Sequence, residues 1–318
     1  MEPDLKLCVV DKRLIAESIV LLELQAAGAG LLPAFTAGAH LQLDLPGGLS
    51  RAYSLCNDPE ERHRYQLAVH LDPMSRGGSR AVHENIHQGD LLQARGPTNL
   101  FALDEAAPHS VLVAGGIGIT PMLAMARRLQ HLGRSWELHY ANRKPARCAF
   151  REELTVGPLA ACSRLYFDDA EPARQLDLDR LLGAPRAGAH LYVCGPAGLI
   201  DTALSTARAM GWGEERLHSE RFSAQPLEVA GARAFKLVLV RSGLTLDVPA
   251  DRSVMSVVHE AGVDLPASCE QGVCGTCITD VLEGRPDHRD QCLDEAMRER
   301  CFTPCCSRSL DAVLRIDL

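Results

Sequence analysis

The stretch Cys269-Glu270-Gln271-Gly272-Val273-Cys274-Gly275-Thr276-Cys277 decides what the C-terminal part of the chain builds. Its three cysteines have the spacing C-x4-C-x2-C, and Cys305 and Cys306 follow 28 and 29 positions after the last of them. This spacing is typical of a plant-type [2Fe–2S] site, which takes four thiolates. Gly272 and Gly275 permit a tight loop whose backbone N–H groups can point at sulfur. A structural zinc site, the alternative, usually pairs two C-x2-C halves or uses histidine, and no second C-x2-C occurs.

Composition sets the class of protein. The 318 residues allow two or three domains. The net charge of -8, without a basic run, argues against a nucleic-acid partner, and no apolar run reaches the length of a membrane span. The first twelve residues lack an apolar signal core. Of the 12 cysteines, seven follow Ser268, which indicates a metal-bearing module in a reducing cytoplasm rather than a disulfide framework.

The first hundred residues predict an antiparallel β-barrel. Short apolar segments at 7–10, 19–24, 40–45 and 65–71 alternate with turns rich in Gly, Pro and Asp. Within this region, Arg51-Ala52-Tyr53-Ser54 places the Arg and Tyr side chains on one side of a strand. A Tyr ring can pack on a flat heterocycle, and an Arg fork can bind phosphate.

The segment Ser75-Arg76-Gly77-Gly78-Ser79-Arg80 is glycine-rich and basic, and it runs into a helix predicted over residues 81–86. Glycine turns at a helix start expose N–H groups, and the positive end of the helix dipole favours phosphate. One monophosphate fits this segment. A bare flexible loop is the alternative.

After a polar connection at 104–109, the pattern becomes α/β. A strand over 110–114 leads into Gly115-Gly116-Ile117-Gly118-Ile119-Thr120-Pro121 and a helix over 121–132, with Pro121 at its first position. The motif is G-x-G-x-x-P, not the G-x-G-x-x-G fingerprint. Further strand and helix segments predict a doubly wound sheet, whose ligands lie at the carboxyl ends of the strands. The Gly115 turn and Cys194-Gly195-Pro196 both fall there.

The remaining chain predicts a linker and a small α+β module. The linker covers about 223–233, and the module contains a hairpin over 235–248, a helix over 254–261 and a final strand over 312–316. The predicted domains are therefore an antiparallel β-barrel at 1–104, a doubly wound α/β domain at 105–225 and an α+β domain that carries the [2Fe–2S] motif at 226–318.

Taken together, R-A-Y-S-L-C-N-D, S-R-G-G-S-R, C-E-Q-G-V-C-G-T-C and P-D-H-R-D (residues 286–290) resemble the phthalate dioxygenase reductase family over essentially the whole chain. The resemblance implies a reductase that uses NADH, FMN and a [2Fe–2S] cluster. It implies that the barrel binds FMN, that the α/β domain binds NADH, and that the C-terminal domain is a plant-type ferredoxin (β-grasp) fold that holds the cluster. It also implies a protein partner, the Rieske oxygenase component of an aromatic-ring dioxygenase or O-demethylase. NADH gives two electrons as hydride and the cluster takes one, so the flavin converts between them.

The resemblance also implies roles for individual residues. Ser54 lies near the reacting nitrogen of the flavin, and Phe222 stacks near the flavin and yields to nicotinamide. By the same resemblance, FMN is bound by Arg51, Tyr53, Ser54, Arg76, Gly77, Gly78 and Ser79. NADH is bound by Gly116, Gly118, Thr120, Cys194, Gly195 and Pro196. The irons of the cluster are bound by Cys269, Cys274, Cys277 and Cys305.

Several alternatives stay open at this point. The chain could be a non-catalytic electron carrier or redox sensor, or an FAD-containing reductase. Arg143-Lys144 could meet the 2′-phosphate of NADPH, whereas Asp168-Asp169 would repel it or bind a ribose hydroxyl. Cys305 and Cys306 compete for the fourth ligand position, because adjacent residues of an extended segment face opposite sides.

Overall fold

The computed structural model describes residues 4–73, 77–169, 175–183, 185–222 and 233–318. The fold divides into two compact units, Met1–Glu220 and Arg221–Leu318. None of the helices in the described ranges is long and apolar enough to cross a membrane. The predicted domain limits at 104 and 225 stay predictions, and the predicted linker at 223–233 lies almost wholly outside the described residues.

The first unit begins with a six-stranded antiparallel sheet whose strand order is β4-β3-β6-β1-β2-β5. An antiparallel bridge between Leu55 and Leu67 joins the two edges of this sheet, which confirms the predicted barrel. Leucines on alternate positions of the strands, such as Leu22 and Leu43, fill its core. Its strands are β1 Asp4–Ala16, β2 Ile19–Ala26, β3 His40–Leu45, β4 Leu49–Ser54, β5 Tyr65–His70 and β6 Leu91–Thr98.

Helix α1, Gly78–Asn85, lies between β5 and β6 in the chain. It begins three residues earlier than the sequence predicts, because the Gly77 carbonyl already accepts the Ala81 N–H at 2.8 Å. Ala81, Val82 and Ile86 are buried against the barrel core.

The same unit continues with a parallel sheet in the order β11-β10-β7-β8-β9. Helices cover both of its faces, and this confirms the doubly wound prediction. Edge strand β11 was not predicted, since four half-buried residues carry no clear periodicity. The elements are β7 His109–Gly115, α2 Ile119–His131, β8 Ser135–Asn142, α3 Arg151–Thr155, β9 Ser163–Phe167, α4 Leu178–Leu182, β10 Ala189–Cys194, α5 Ala197–Ala209 and β11 Leu217–Glu220.

The prediction for the start of α2 was wrong by two residues. A 3₁₀ turn over Gly116–Gly118 runs directly into the helix, because the Ile119 N–H donates to the carbonyls of that turn. Pro121 is therefore the third helical residue. It is tolerated there since the first-turn N–H groups of a helix have no intrahelical acceptor.

The second unit is an α+β module. Its main sheet has the order β13-β12-β18-β14-β16, with β12–β13 an antiparallel hairpin and β12–β18 parallel. Helix α6 packs Val254 and Val258 into the same core as Leu237, Phe302 and Leu314. The elements are β12 Phe235–Leu239, β13 Leu244–Val248, α6 Val254–Glu260, β14 Thr279–Glu283, β15 Pro286–Asp287, α7 Glu295–Arg298, β16 Cys301–Phe302, β17 Arg308–Ser309 and β18 Val313–Ile316.

Candidate cofactor sites

Strand β4 carries the first set of predicted site residues. Arg51 and Tyr53 face Leu43 and Leu41 of β3 in the antiparallel register, so they lie on one side of the strand as predicted. Tyr53 is half-buried, and this burial raises the pKa of its phenol. A neutral, partly covered ring of this kind suits packing against a flat heterocycle.

The start of α1 lies beside the Arg51 side chain. A Cβ added at Gly78 would come within 2.7 Å of Arg51 Cγ, and Gly77 adopts φ +94°, a conformation that favours glycine. The Ser79 hydroxyl accepts the Asp72 N–H at 3.2 Å. Arg76 lies outside the described residues. A guanidinium against a glycine-led helix start has the donor set and the charge that an FMN phosphate requires.

Two glycine turns meet at the carboxyl edge of the parallel sheet. A Cβ at Gly118 would overlap the Cys194 carbonyl and lie 2.7 Å from the Gly195 nitrogen, while one at Gly195 would lie 2.9 Å from the Gly115 backbone. The Thr120 hydroxyl donates to the Ile117 carbonyl at 3.1 Å. Only glycine permits this approach, and the resulting open backbone at the strand ends fits a nucleotide.

Cys194 and Pro196 flank the second of these turns. Cys194 is the last residue of β10 and is fully buried, while Pro196 caps the N-terminus of α5. Burial, together with the nearby Glu220, raises the pKa of the Cys194 thiol. The thiol is therefore neutral at physiological pH, and this form is the poorer nucleophile.

Glu220 is a site residue that sequence reasoning missed. It ends edge strand β11 directly beside Cys194, and its carboxyl oxygen Oε2 accepts the Ser54 hydroxyl at 3.4 Å across 166 residues of sequence. Burial raises the pKa of Glu220 to about 8, and the Ser54 hydrogen bond opposes this only in part. A carboxyl that is largely protonated at neutral pH thus touches the serine predicted to face the flavin. Phe222, two positions later in the chain, is 42% exposed.

Arg127 on α2 joins this helix to the chain just after β4. Its guanidinium donates to the Cys56 carbonyl and makes a bidentate pair with Glu153 of α3, at 3.0 and 2.7 Å. Cys56 lies two residues after Ser54 and is fully buried. Arg127's neighbour Arg128, exposed to a similar degree, pairs with two exposed carboxylates, Glu105 at 2.7 Å and Glu60. The sequence offered no signal for these roles beyond two basic residues on a helix.

Four thiols come together in the second unit. Cys269 lies within hydrogen-bonding reach of Cys274 and Cys305, and Cys305 is also within reach of Cys277. Within the described ranges, no group of three or more His, Cys, Asp or Glu side chains has an arrangement that could hold a single metal ion. A [2Fe–2S] cluster instead needs two thiolates on each of two irons, and these pairwise contacts match that requirement. The Gln271 N–H donates to Cys269 Sγ at 3.3 Å, as expected for a cluster loop.

Cys306 lies within hydrogen-bonding reach of the Cys305 thiol and also has contacts of its own. Its thiol lies 3.2 Å from the Thr303 hydroxyl and 3.9 Å from that of Ser307. It also fills the space where a side chain at Gly272 would stand. Cys301 donates to Asp280 at 3.1 Å.

Known proteins resemble this chain over its whole length. The model of the 2Fe-2S iron-sulfur cluster binding domain matches residues 238–309, and that of the N-terminal domain of the dimethylamine monooxygenase subunit DmmA matches residues 91–217. The vanillate O-demethylase oxidoreductase of Pseudomonas sp. (strain HR199 / DSM 7063) is 47% identical over 96% of this chain and 97% of its own. The chain belongs to the phthalate dioxygenase reductase family.

Solved structures agree with this assignment. Phthalate dioxygenase reductase, described as a modular structure for electron transfer from pyridine nucleotides to [2Fe-2S], matches with a TM-score of 0.74 and 38% identity over 99% of this chain and 98% of that one. An intact type IV self-sufficient cytochrome P450 monooxygenase matches with a TM-score of 0.90 and 38% identity over 99% of this chain. The present chain covers 41% of that longer protein.

Family membership settles the class of reaction. The protein is an NADH-dependent oxidoreductase that carries FMN and a [2Fe–2S] cluster, and it is the reductase component of an oxygenase system. The alternative of a non-catalytic carrier is not supported, because the relatives are named oxidoreductases and reductases.

Proposed function

We propose that this reductase passes electrons from NADH to a Rieske-type oxygenase that O-demethylates or hydroxylates an aromatic acid in the cytoplasm. The 47% identity to a vanillate O-demethylase oxidoreductase supports this partner class over a haem oxygenase. The P450 match supports the same electron-transfer chemistry but is fused to its own acceptor in one longer chain.

We assign flavin binding to the barrel. When bound, FMN takes hydride from NADH and releases electrons singly. Arg51 and the first turn of α1, with Gly77, Gly78 and Ser79, hold its phosphate in this proposal. Arg76 is assigned to the same phosphate from the sequence alone. Tyr53 packs against the ring.

We assign Ser54 and Glu220 to the transfer of the proton at the flavin. Each NADH delivers one hydride, and once two electrons have left, one proton must leave as well. The Ser54 hydroxyl contacts Glu220, whose pKa of about 8 lets it hold or accept a proton near neutral pH. Phe222 is assigned to cover the flavin until nicotinamide displaces it.

Nucleotide selection belongs to the carboxyl edge of the parallel sheet. Gly116, Gly118 and Thr120, with Cys194, Gly195 and Pro196, line the nicotinamide side in this proposal. The Asp168 and Asp169 N–H groups donate to the Asn142 and Arg143 carbonyls at 3.1 and 3.3 Å. Two exposed carboxylates therefore lie beside the Arg143 backbone, where they weaken the site for a 2′-phosphate and favour NADH over NADPH.

The single observation that carries the electron-transfer proposal is the pairwise approach of Cys269, Cys274, Cys277 and Cys305 in a module with its own core. We assign these four thiolates to the cluster. Cys306 contacts Cys305 but also packs against Thr303 and Gly272, and we leave it out of the ligand set.

The test is reconstitution. The purified protein is mixed anaerobically with NADH, and loss of flavin and cluster absorbance is followed before a purified vanillate-type Rieske oxygenase and its substrate are added with air. We expect bleaching and then product in proportion to NADH consumed. If NADH bleaches both centres but no Rieske oxygenase of this class is reduced while a P450 haem is, the partner proposal is wrong.

A further inference from the structure

The C-terminal end of α1 is closed by a side chain from a distant strand. The Lys12 ammonium on β1 donates to the carbonyls of Val82, His83 and Ile86 at 2.9, 2.6 and 2.6 Å. An ammonium has three N–H donors, so all three are used on this one helix end. The last carbonyls of a helix have no intrahelical partner, and Lys12 supplies one.

The opposite end of the same helix is the proposed phosphate site. Helix α1 has 8 residues, which is a length of about 12 Å. Its first residue, Gly78, touches the Arg51 side chain, and its N-cap, Gly77, has φ +94°. A shift of the last turn is therefore transmitted directly to the N–H groups of the first turn, because two helical turns of hydrogen-bonded backbone move together.

Other contacts hold the helix against the barrel, including at its last turn, while Lys12 supplies side-chain donors to its last carbonyls. Ala81, Val82 and Ile86 bury the apolar face, and the His83 ring contacts the Val69 carbonyl at 2.9 Å. The positive charge of Lys12 also compensates the negative, C-terminal end of the helix dipole. The N-terminal end of α1 is then more favourable for an anion. Lys12 is half-buried, so solvent screens this charge only in part.

We propose that Lys12 is a positioning residue for the phosphate of FMN. It holds the last turn of α1 and so keeps the first-turn N–H groups aligned with the phosphate, although it does not touch the flavin itself. This inference rests on the proposed function only in that α1 is taken to bind the FMN phosphate.

The test compares two ligands that differ in the phosphate alone. The full-length chain, stripped of flavin, is titrated with FMN and with riboflavin, and quenching of flavin fluorescence gives each Kd. The variants are Lys12→Met, which removes the charge and the donors, and Lys12→Arg, which keeps both. Arg13→Gln is the matched control, because Arg13 is the next residue on the same strand but is exposed and pairs with Asp11.

For Lys12→Met we expect FMN affinity to fall about tenfold while riboflavin affinity is unchanged. Lys12→Arg should recover most of the FMN affinity, and Arg13→Gln should match the parent for both ligands. If Lys12→Met does not fold, as judged by far-UV circular dichroism, Lys12→Gln, which keeps an N–H donor, gives the deciding ratio of the two affinities.

Equal losses for FMN and riboflavin would show that Lys12 only stabilises the barrel, and no loss for either would remove its role altogether. Both results overturn the inference. A parent protein that binds riboflavin as tightly as FMN would have a different meaning. It would refute the phosphate assignment on which the inference rests, and not the contact made by Lys12.

Discussion

Replacing Glu220 with Gln should stabilise the first unit increasingly as the pH rises from 5 to 7. Glu220 has a pKa of about 8 in the folded protein against an ordinary value of 4.5, because burial penalises its carboxylate. Folding therefore favours the protonated form. The associated stability is fully present below pH 4.5 and is lost as the pH rises towards 8.

The size of the effect follows from the two pKa values. Between pH 5 and 7 the unfolded chain gives up its proton while the folded chain keeps it, which costs the parent about 2 to 3 kcal/mol relative to the Gln variant. Glu220 keeps part of its surface in solvent, so we take about half of that, roughly 1 kcal/mol, as the expected change. The amide also retains a polar contact for Ser54.

Tryptophan fluorescence isolates the relevant unit, because the chain has 2 tryptophans and both, Trp136 and Trp212, lie in Met1–Glu220. Urea unfolding of parent and Glu220→Gln at pH 5, 6 and 7, without added flavin, gives the difference directly. Glu214→Gln is the control: Glu214 is exposed and Arg208 lowers its pKa, so its effect should stay flat over this range. A difference for Glu220→Gln that does not change with pH would refute the raised pKa.

Three further outcomes are expected. Arg127→Gln should slow flavin reduction by NADH about tenfold in stopped flow, with unchanged flavin content. The reason is that it releases α2 from the chain just after β4, and Arg128→Gln should have little effect. Gly118→Ala should abolish NADH reduction but keep the bound flavin, since the added Cβ would overlap the opposite turn; a normal rate would mean that the two turns separate easily. Cys305→Ser should lose the cluster absorbance and Cys306→Ser should keep it, and the reverse pattern would exchange their roles.

The sequence predicts the elements that carry strong local patterns. Strands β2, β3 and β5, the glycine turn before α2 and the β12–β13 hairpin are found within a few residues of their predicted limits. Strand β1 extends well beyond its predicted limits of 7–10, and β6 was not predicted. The short elements β11, β14 and β15–β17 were missed. Pairing with distant strands determines such elements more than their own sequence does.

The supporting residues of the sites were missed for a related reason. Glu220, Lys12 and Arg127 are single charged residues in ordinary surroundings along the chain. Their roles come from contacts across 166, about 70 and 71 positions, respectively. A motif reveals residues that act together over a short stretch, whereas long-range partners emerge only from the fold.

The orientations of the neighbouring residues Cys305 and Cys306 depend on tertiary contacts that the local sequence does not reveal. From the sequence, alternation of sides means that one of them faces the cluster, but not which one. The Pro304 carbonyl accepts the Met255 N–H of α6 at 2.9 Å, and the Ser307 N–H donates back to the Thr303 carbonyl at 2.9 Å. These two bonds fix the rotation of the segment from both ends. Cys305 is thereby turned towards Cys269 and Cys277, while Cys306 occupies the space that Gly272 leaves by having no side chain. A larger residue at position 272 would displace Cys306 and release that rotation, so we expect the glycine inside the cysteine loop to help select the proposed ligand 33 positions later.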